Sequence, residues 1–278
     1  MKQQKLIQDL LNFSLIIIDK PSGPTSFSVS NYIRKTLNLS KTSHMGTLDP
    51  QVTGVLPITL GRACRLSDYF MHKDKEYVGI MCLHADVSLE ELKVAAQKFV
   101  GKIEQLPPVR SSVKRALRIR EVKSFEILEK TDKDVLFKTT VQAGTYIRKL
   151  IHDLGEKIGG AHMLELRRTK ASIFREEETI TLYEFDSLVQ TMKNNDEKPI
   201  RKYLIPAEDA IKKVLPVVEI AEKNLAKIYT GKPLLKEDLT SAIPKGEIFA
   251  AFAKEKFVGV YRKVDEKDII AKPEFVFN

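Results

Sequence analysis

Residues 44–57 read His44-Met45-Gly46-Thr47-Leu48-Asp49-Pro50-Gln51-Val52-Thr53-Gly54-Val55-Leu56-Pro57, a stretch that holds a single carboxylate. Pro50 fixes its own φ and pushes Asp49 out of the helical region, while Gly46 and Gly54 permit backbone conformations and close approaches that a Cβ would forbid. The stretch therefore reads as a rigid loop presenting one acid. No other acidic residue occurs between Asp19 and Asp68, so Asp49 stands among basic, polar and apolar residues, where a carboxylate tends to stay ionised. Taken alone, an Asp-Pro pair is most simply the start of a turn. What lifts Asp49 above that is the set of patterns on either side of it.

Upstream, residues 14–19 form an apolar run that predicts a buried strand, ending in the turn Lys20-Pro21-Ser22-Gly23-Pro24. Ser26 is the expected N-cap of the next helix, with Val29, Ile33 and Leu37 on one face. The turn carries neither GxxxxGK[ST] nor GxGxxG, which argues against a nucleotide cradle. Downstream, residues 62–70 predict a helix and Lys75-Glu76-Tyr77-Val78-Gly79-Ile80-Met81-Cys82-Leu83-His84 a strand. Ser88-Leu89-Glu90-Glu91 is a capping box opening a helix through Leu92, Ala95, Ala96 and Phe99 that closes at Gly101.

Residues 105–120 are rich in Lys and Arg and contain no acid; such a run is either a solvated face or a phosphate contact. Residues 122–129 and 134–142 predict paired strands joined at Lys130-Thr131-Asp132-Lys133. They lead to Ala143-Gly144-Thr145-Tyr146-Ile147-Arg148-Lys149-Leu150, where a helix begins with Ile147, Leu150, Ile151, Leu154 and Ile158 as its apolar stripe. Arg148 lies off that stripe in the first turn, where the helix dipole disfavours a cation, so a specific anion is its expected partner. Residues 183–192 predict a closing helix and residues 194–199 a polar link. From about Leu215 the chain turns β-rich: a strand at 215–220, a helix at 221–230 stopped by Gly231, and a hairpin over 247–262 around Lys254-Glu255.

A chain of 278 residues accommodates one large domain and one small one, expected at 1–205 and 206–278. With 46 Lys+Arg against 37 Asp+Glu, the net charge of +9 favours a polyanionic partner: RNA, DNA or an anionic membrane. No apolar run approaches the ~20 residues of a spanning helix, and residues 1–11 are polar, so no membrane partner and a cytoplasmic or nuclear location are expected. Cys64 and Cys82 stand apart with no CxxC and no Cys/His cluster, which indicates neither a disulfide framework nor a metal site.

The loop at 44–57, preceded by Asp19-Lys20-Pro21-Ser22-Gly23-Pro24-Thr25-Ser26, is followed in order by Lys75-Glu76-Tyr77, by Gly144-Thr145-Tyr146-Ile147-Arg148 and by Gly159-Gly160-Ala161-His162-Met163-Leu164-Glu165-Leu166-Arg167-Arg168-Thr169. Over nearly its whole length the chain resembles the TruB and dyskerin family of RNA pseudouridine synthases. The resemblance implies an α+β fold: a catalytic domain on a mixed, largely antiparallel sheet, then a small C-terminal β-rich PUA-like domain that binds RNA. It makes Asp49 the catalytic aspartate, Arg148 its ion-pair partner, Tyr77 the ring that stacks on the target uracil, and Leu166 the residue packed below the base. Lys20 and Pro21 would support the active-site loop. His44 would either fill the space left by the flipped base or pack the loop. No cofactor is implied.

The short connection from Asp86 to Ser88 and the Pro-Pro-x-x-Ser-x-x-Lys segment at 107–114 resemble the archaeal and eukaryotic H/ACA-type branch. There a guide RNA and small partner proteins of the H/ACA ribonucleoprotein position the substrate, with rRNA and tRNA as targets; the location would be cytoplasmic for an archaeal chain and nucleolar for a eukaryotic one. Two departures bear on loop geometry. The Gly159-Gly160-Ala161 stretch is one residue shorter than in the family, and Ala171-Ser172 stands where a glycine is usual. Three readings stay open: a guided enzyme, a stand-alone TruB-type tRNA enzyme, and a non-catalytic RNA-binding scaffold. Retention of Asp49, Tyr77, Arg148 and Leu166 together speaks against the scaffold.

Overall fold

The computed structural model describes residues 5–107 and 115–278. Residues 108–114 of the basic run expected to meet phosphate, with Arg110 and Lys114, lie outside them, while Arg115, Arg118 and Arg120 lie within. The described residues form two compact units, one ending at Leu204 and one formed by Ile205–Asn278.

The first unit is built on a mixed sheet. Its strands are β1 (Ser14–Lys20), β2 (Thr42–His44), β3 (Thr53–Leu60), β4 (Lys75–Leu83), β5 (Gly101–Gln105), β6 (Arg118–Thr131), β7 (Asp134–Val141), β8 (Ala161–Ala171) and β9 (Phe174–Arg175). Across the sheet they run β1-β3-β8-β4-β7-β6-β5, with β2 also on β3 and β9 also on β8. The β3–β8 pair is parallel, Thr53 opposite Arg167 and Gly54 opposite Arg168, while β1–β3, β4–β8 and β4–β7 are antiparallel. β1 is buried almost throughout, as its unbroken Leu-Ile-Ile-Ile run requires, whereas β4 alternates buried and half-buried residues along its length.

Two apolar clusters hold helices to this sheet. Helices α1 (Ile7–Asn12), α2 (Ser26–Thr36) and α3 (Leu182–Lys193) bury Leu10, Val29, Ile33, Phe185 and Val189 against Ile16, Ile18, Leu56 and Ile58 of β1 and β3. Helices α4 (Leu89–Gln97) and α5 (Ile147–Ile158) bury Leu92, Ala96, Leu150, Ile151 and Leu154 against Met81, Phe125, Val135 and Phe137. The Ser88 capping box is present, and Gly159 ends α5 in the left-handed region at φ 89°.

Several expectations shift in detail. The N-cap of α2 is Thr25, whose hydroxyl accepts from the Ser28 amide; Ser26 is instead the first helical residue and its hydroxyl is spent elsewhere. Residues 61–66 form a 3-10 turn and only Ser67–Met71 is α-helical. β6 begins four residues before the expected strand, because Arg118-Ile119-Arg120-Glu121 pairs with β5. β8 was not anticipated as a strand. Its charged residues meet partners on both faces, which removes the apolar alternation by which strands are recognised.

The second unit carries its own sheet, in the order Val217–Glu219, Ile248–Ala253, Lys256–Glu266, Ile269–Val276 and Leu234–Leu235, parallel in its first pair and antiparallel after. The expected hairpin turns at Lys254-Glu255, with Ala253 opposite Lys256 and Lys254 at φ 53°. Residues 221–230 hold a 3-10 turn and the short helix Leu225–Tyr229 rather than one continuous helix. Val218, Phe249, Ala251, Val258 and Tyr261 form its core. No helix among the described residues is long and apolar enough to cross a membrane.

Candidate active site

Residues 45–52 join β2 to β3 and carry Asp49, and buried side chains grip this loop from three sides. Lys20, at the end of β1 and 0% exposed, donates through Nζ to the carbonyls of Pro21, Pro50 and Val52 at 2.8, 2.9 and 2.9 Å. Burial lowers its pKa, Asp49 acts in the opposite sense, and the charge of Arg168 adds to the lowering. Ser26, buried, donates to the Leu48 carbonyl at 3.1 Å and accepts from the Leu48 amide at 2.8 Å. The Gly23 amide reaches the Pro50 carbonyl at 2.9 Å. The Lys20-Pro21 turn thus orients the residue that follows Asp49, and α2 fixes the residue that precedes it.

The third grip comes from β8. Arg168, 1% exposed, donates from Nε to the Val55 carbonyl at 2.8 Å and from Nη2 to the Gly46 carbonyl at 3.1 Å, tying together the two flanks of the loop. Burial lowers its pKa, and Tyr77, opposite it in the β4–β8 ladder, acts in the other sense. Gly54, at φ 101°, lets β3 lie this close to β8: a Cβ there would sit 2.2 Å from the Arg168 carbonyl oxygen.

Asp49 is then met from the other side by α5. Arg148 Nη2 stands 2.7 Å from Asp49 Oδ2, with about half or more of each side chain open to solvent. The start of α5 is set by Gln105, which is buried and clamps Tyr146 from both sides of its peptide: the Tyr146 amide donates to Gln105 Oε1 at 2.9 Å, and Gln105 Nε2 donates to the Tyr146 carbonyl at 3.2 Å. Leu48 and Val52 flanking Asp49, Ile147 beside Arg148, and Tyr77 belong to one apolar cluster, and Leu166 packs against it opposite Gly79. His44 ends β2, with Nε2 3.3 Å from Thr47 Oγ1; burial, then the charge of Arg168, lowers its imidazole pKa below the usual range, which favours the neutral ring.

The arrangement presents one solvent-reachable carboxylate, aimed by a guanidinium, on a loop braced by buried cations. That suits a nucleophile or a base acting on a ligand held from outside. Sequence reasoning passed over Arg168, Gln105 and the second role of Ser26. Arg167 and Arg168 look alike in the chain, yet Arg167 turns the other way, to Asp19 at 2.9 and 3.1 Å and Glu176 at 3.0 Å. Strand alternation would have separated them had the segment been recognised as a strand. On α5, among the described residues, His152, Asp153 and Glu156 bring ligand atoms within 4.8 Å of one another. Asp153 is already engaged by Lys149, and an exposed cluster of this kind does not mark a metal site.

Residues 34–147 match the TruB family pseudouridylate synthase (N terminal domain), and residues 148–212 match the tRNA pseudouridylate synthase B C-terminal domain. The probable tRNA pseudouridine synthase B of Korarchaeum cryptofilum is 40% identical over 273 residues, 96% of this chain and 84% of that protein. The chain belongs to the TruB family. A TruB-family relative in Methanocaldococcus jannaschii, also a probable tRNA pseudouridine synthase B, is 44% identical over 217 residues; the match takes in 77% of this chain and 65% of the relative, just under two thirds of its length. Among solved structures, the Cbf5 chain type seen in a Cbf5-Nop10-Gar1 complex superposes with a TM-score of 0.90 at 39% identity, over 99% of this chain and 88% of that one. A chain of an H/ACA ribonucleoprotein bound to a substrate RNA containing 2′-deoxyuridine gives a TM-score of 0.88 at 36% identity, with 99% and 88% covered.

Proposed function

We propose that this chain isomerises specific uridines of RNA to pseudouridine, with Asp49, Tyr77 and Arg148 as catalytic residues and His44, Leu166, Lys20 and Pro21 shaping the substrate site. The observation that carries this is the 2.7 Å pair between Arg148 and Asp49 on a loop otherwise free of acids. In the reaction the C1′–N1 bond breaks with its electron pair on the uracil. Asp49 either adds to C1′, that ester bond breaking again as C5 of the turned uracil attacks C1′, or takes the C2′ proton to leave a glycal and returns it as C5 bonds to C1′. On both routes C5 then loses its proton and N1 gains one, so the product is an isomer. Arg148 keeps Asp49 aimed, Tyr77 stacks on the base, and the apolar cluster with Leu166 limits water.

The guided reading is favoured over the stand-alone one by the near-complete superposition on chains solved with Nop10, Gar1 and substrate RNA. Partners of those kinds, an H/ACA guide RNA and an rRNA or tRNA target are proposed for this chain, with Ile205–Asn278 as a PUA-like RNA-binding unit and the cytoplasm as its place. The deciding experiment is pseudouridine formation by the purified chain on unmodified tRNA and rRNA fragments, with and without guide RNA and small partner proteins. Activity only with guide and partners supports the guided reading. Activity on tRNA alone supports the stand-alone enzyme, and no activity under any condition overturns the proposal.

A further inference from the structure

Arg148 has to be aimed at Asp49, yet little in its own turn aims it. Both side chains of the pair are substantially exposed, and exposed ion pairs hold two long side chains only weakly. Arg148 is the second residue of α5, where the helix dipole disfavours a cation. No acidic residue lies in that first turn, and the side chain of Tyr146, the N-cap residue, does not cap the helix. A helix start of this kind depends on groups outside the helix to satisfy and hold its backbone.

Gln105, the last residue of β5 and 2% exposed, supplies that hold from 41 positions away in the chain. Its side-chain amide accepts from the Tyr146 amide at 2.9 Å and donates to the Tyr146 carbonyl at 3.2 Å. That carbonyl also accepts from the Leu150 amide at 3.0 Å, the bond that opens α5. Gln105 therefore grips the acceptor on which the first turn is built. A carboxylate in its place would have no proton for the carbonyl, and an aliphatic side chain would serve neither group; an amide serves both. The chain on either side is fixed as well. The Gln142 amide donates to the Glu121 carbonyl of β6 at 2.8 Å, and Thr145 returns to the Gln142 carbonyl through its amide at 3.2 Å and its hydroxyl at 2.8 Å. Ile147 is buried in the apolar cluster. Gln142, Tyr146 and Ile147 are thus each tied to the sheet or the core, and Arg148 follows directly.

Resting on the pseudouridine synthase reading, we infer that Gln105 is a positioning residue for the chemical step: by pinning the N-cap peptide of α5 to the end of β5, it sets where Arg148 stands and so how Asp49 is aimed at C1′. Gln105 touches neither Asp49 nor the base in this scheme; it acts through the Tyr146 backbone and Arg148. A misplacement of 1 Å at a group that orients a reacting atom can cost about 100-fold in rate. The contacts that hold RNA are spread over a wider surface and are little affected by such a shift. The mark of Gln105 is therefore on rate and not on binding.

The test is a double-mutant cycle of Gln105→Met and Arg148→Ala, read as single-turnover pseudouridine formation at saturating RNA, where very slow rates stay measurable, alongside RNA affinity and melting. Gln105→Met keeps the side-chain volume and loses both hydrogen bonds. It should lower the rate about tenfold or more while RNA affinity changes by less than about threefold. In the Arg148→Ala background the same substitution should cost less than about twofold, because the group it misplaces is already gone. Gln105→Glu, which keeps the length and the acceptor for the Tyr146 amide, takes the place of the methionine variant in the cycle should that one fail to fold. An unchanged rate, an equal loss in both backgrounds, or a loss seen only in RNA affinity or melting would reduce Gln105 to a structural clamp. A wild-type chain inactive under every condition would instead remove the synthase reading, and this inference with it.

Discussion

Arg148 Nη2 lies 2.7 Å from Asp49 Oδ2, so the first turn of α5 and the loop between β2 and β3 meet through one ion pair. Both side chains are substantially exposed, and pairs of this kind contribute little to stability, about 0–1 kcal/mol. On the proposed function, the pair is expected to act in the chemistry rather than in stability. Asp49→Asn should reduce pseudouridine formation by at least about 1,000-fold, as expected on losing a nucleophile or base, with RNA affinity and melting temperature close to wild type. Turnover that survives the substitution removes Asp49 from the reaction.

Ser172 adopts φ 60° in the turn between β8 and β9. Its hydroxyl oxygen is also buried without a hydrogen-bond partner. Left-handed backbone costs a residue with a Cβ about 1–2 kcal/mol, partly offset by the greater chain entropy that glycine loses. Ser172→Gly should therefore stabilise the protein by about 0.5–1 kcal/mol, and Ser172→Val, β-branched, should destabilise it. Urea midpoints for the two variants check this; a glycine variant less stable than wild type would mean that the hydroxyl has a use.

The parts of this fold that could be read in the sequence are those specified locally. The Leu15-Ile16-Ile17-Ile18 run, the Ser88 capping box, the stripe of α5 and the Lys254-Glu255 turn each depend on residues a few positions apart. Arg168, Gln105 and Ser26 act on partners distant in the chain, Gly46 and Val55 for one, Tyr146 and Leu48 for the others. No period or spacing announces such a contact. The one-residue shift of the α2 cap has the same origin: Thr25 and Ser26 both suit an N-cap, and the need of Leu48 for a partner settles which one is free to cap.

Gly54 and Gly23 share a positive φ, 101° and 110°, but differ in what a side chain would meet. At Gly23 there is nothing within 4 Å, so Gly23→Ala carries only the backbone cost, about 1 kcal/mol. At Gly54 a Cβ would lie 2.2 Å from the Arg168 carbonyl oxygen and 2.9 Å from its amide nitrogen, backbone atoms in a central strand that cannot step aside. Gly54→Ala should cost more than about 3 kcal/mol and, where the protein still folds, should reduce activity by displacing the grip of Arg168 on the loop. Equal stability of the two alanine variants would show that β3 and β8 can separate at no cost.

Lys75 supplies a pH signature of the buried cations. It is 6% exposed, donates to the Met71 and Lys73 carbonyls, and has its pKa brought down from 10.5 to about 8 by burial, with the charge of Arg168 adding to the lowering and Asp74 opposing it. Below about pH 8 the amine is protonated in both folded and unfolded chains, so the cost of burying the charge is fully present. Between about 8 and 10.5 the folded chain has released the proton while the unfolded chain still holds it. The unfolded state then binds more protons, and stability rises with pH through this window. At 1.36 kcal/mol per pH unit the relief is about 3 kcal/mol. Lys75→Met removes this titration and leaves every other lysine in place. Urea midpoints of both proteins at several pH values from 7 to 10.5 should show wild type gaining on the variant by about that amount as pH rises. A difference that stays constant across the window would mean that Lys75 keeps its proton in the folded state throughout.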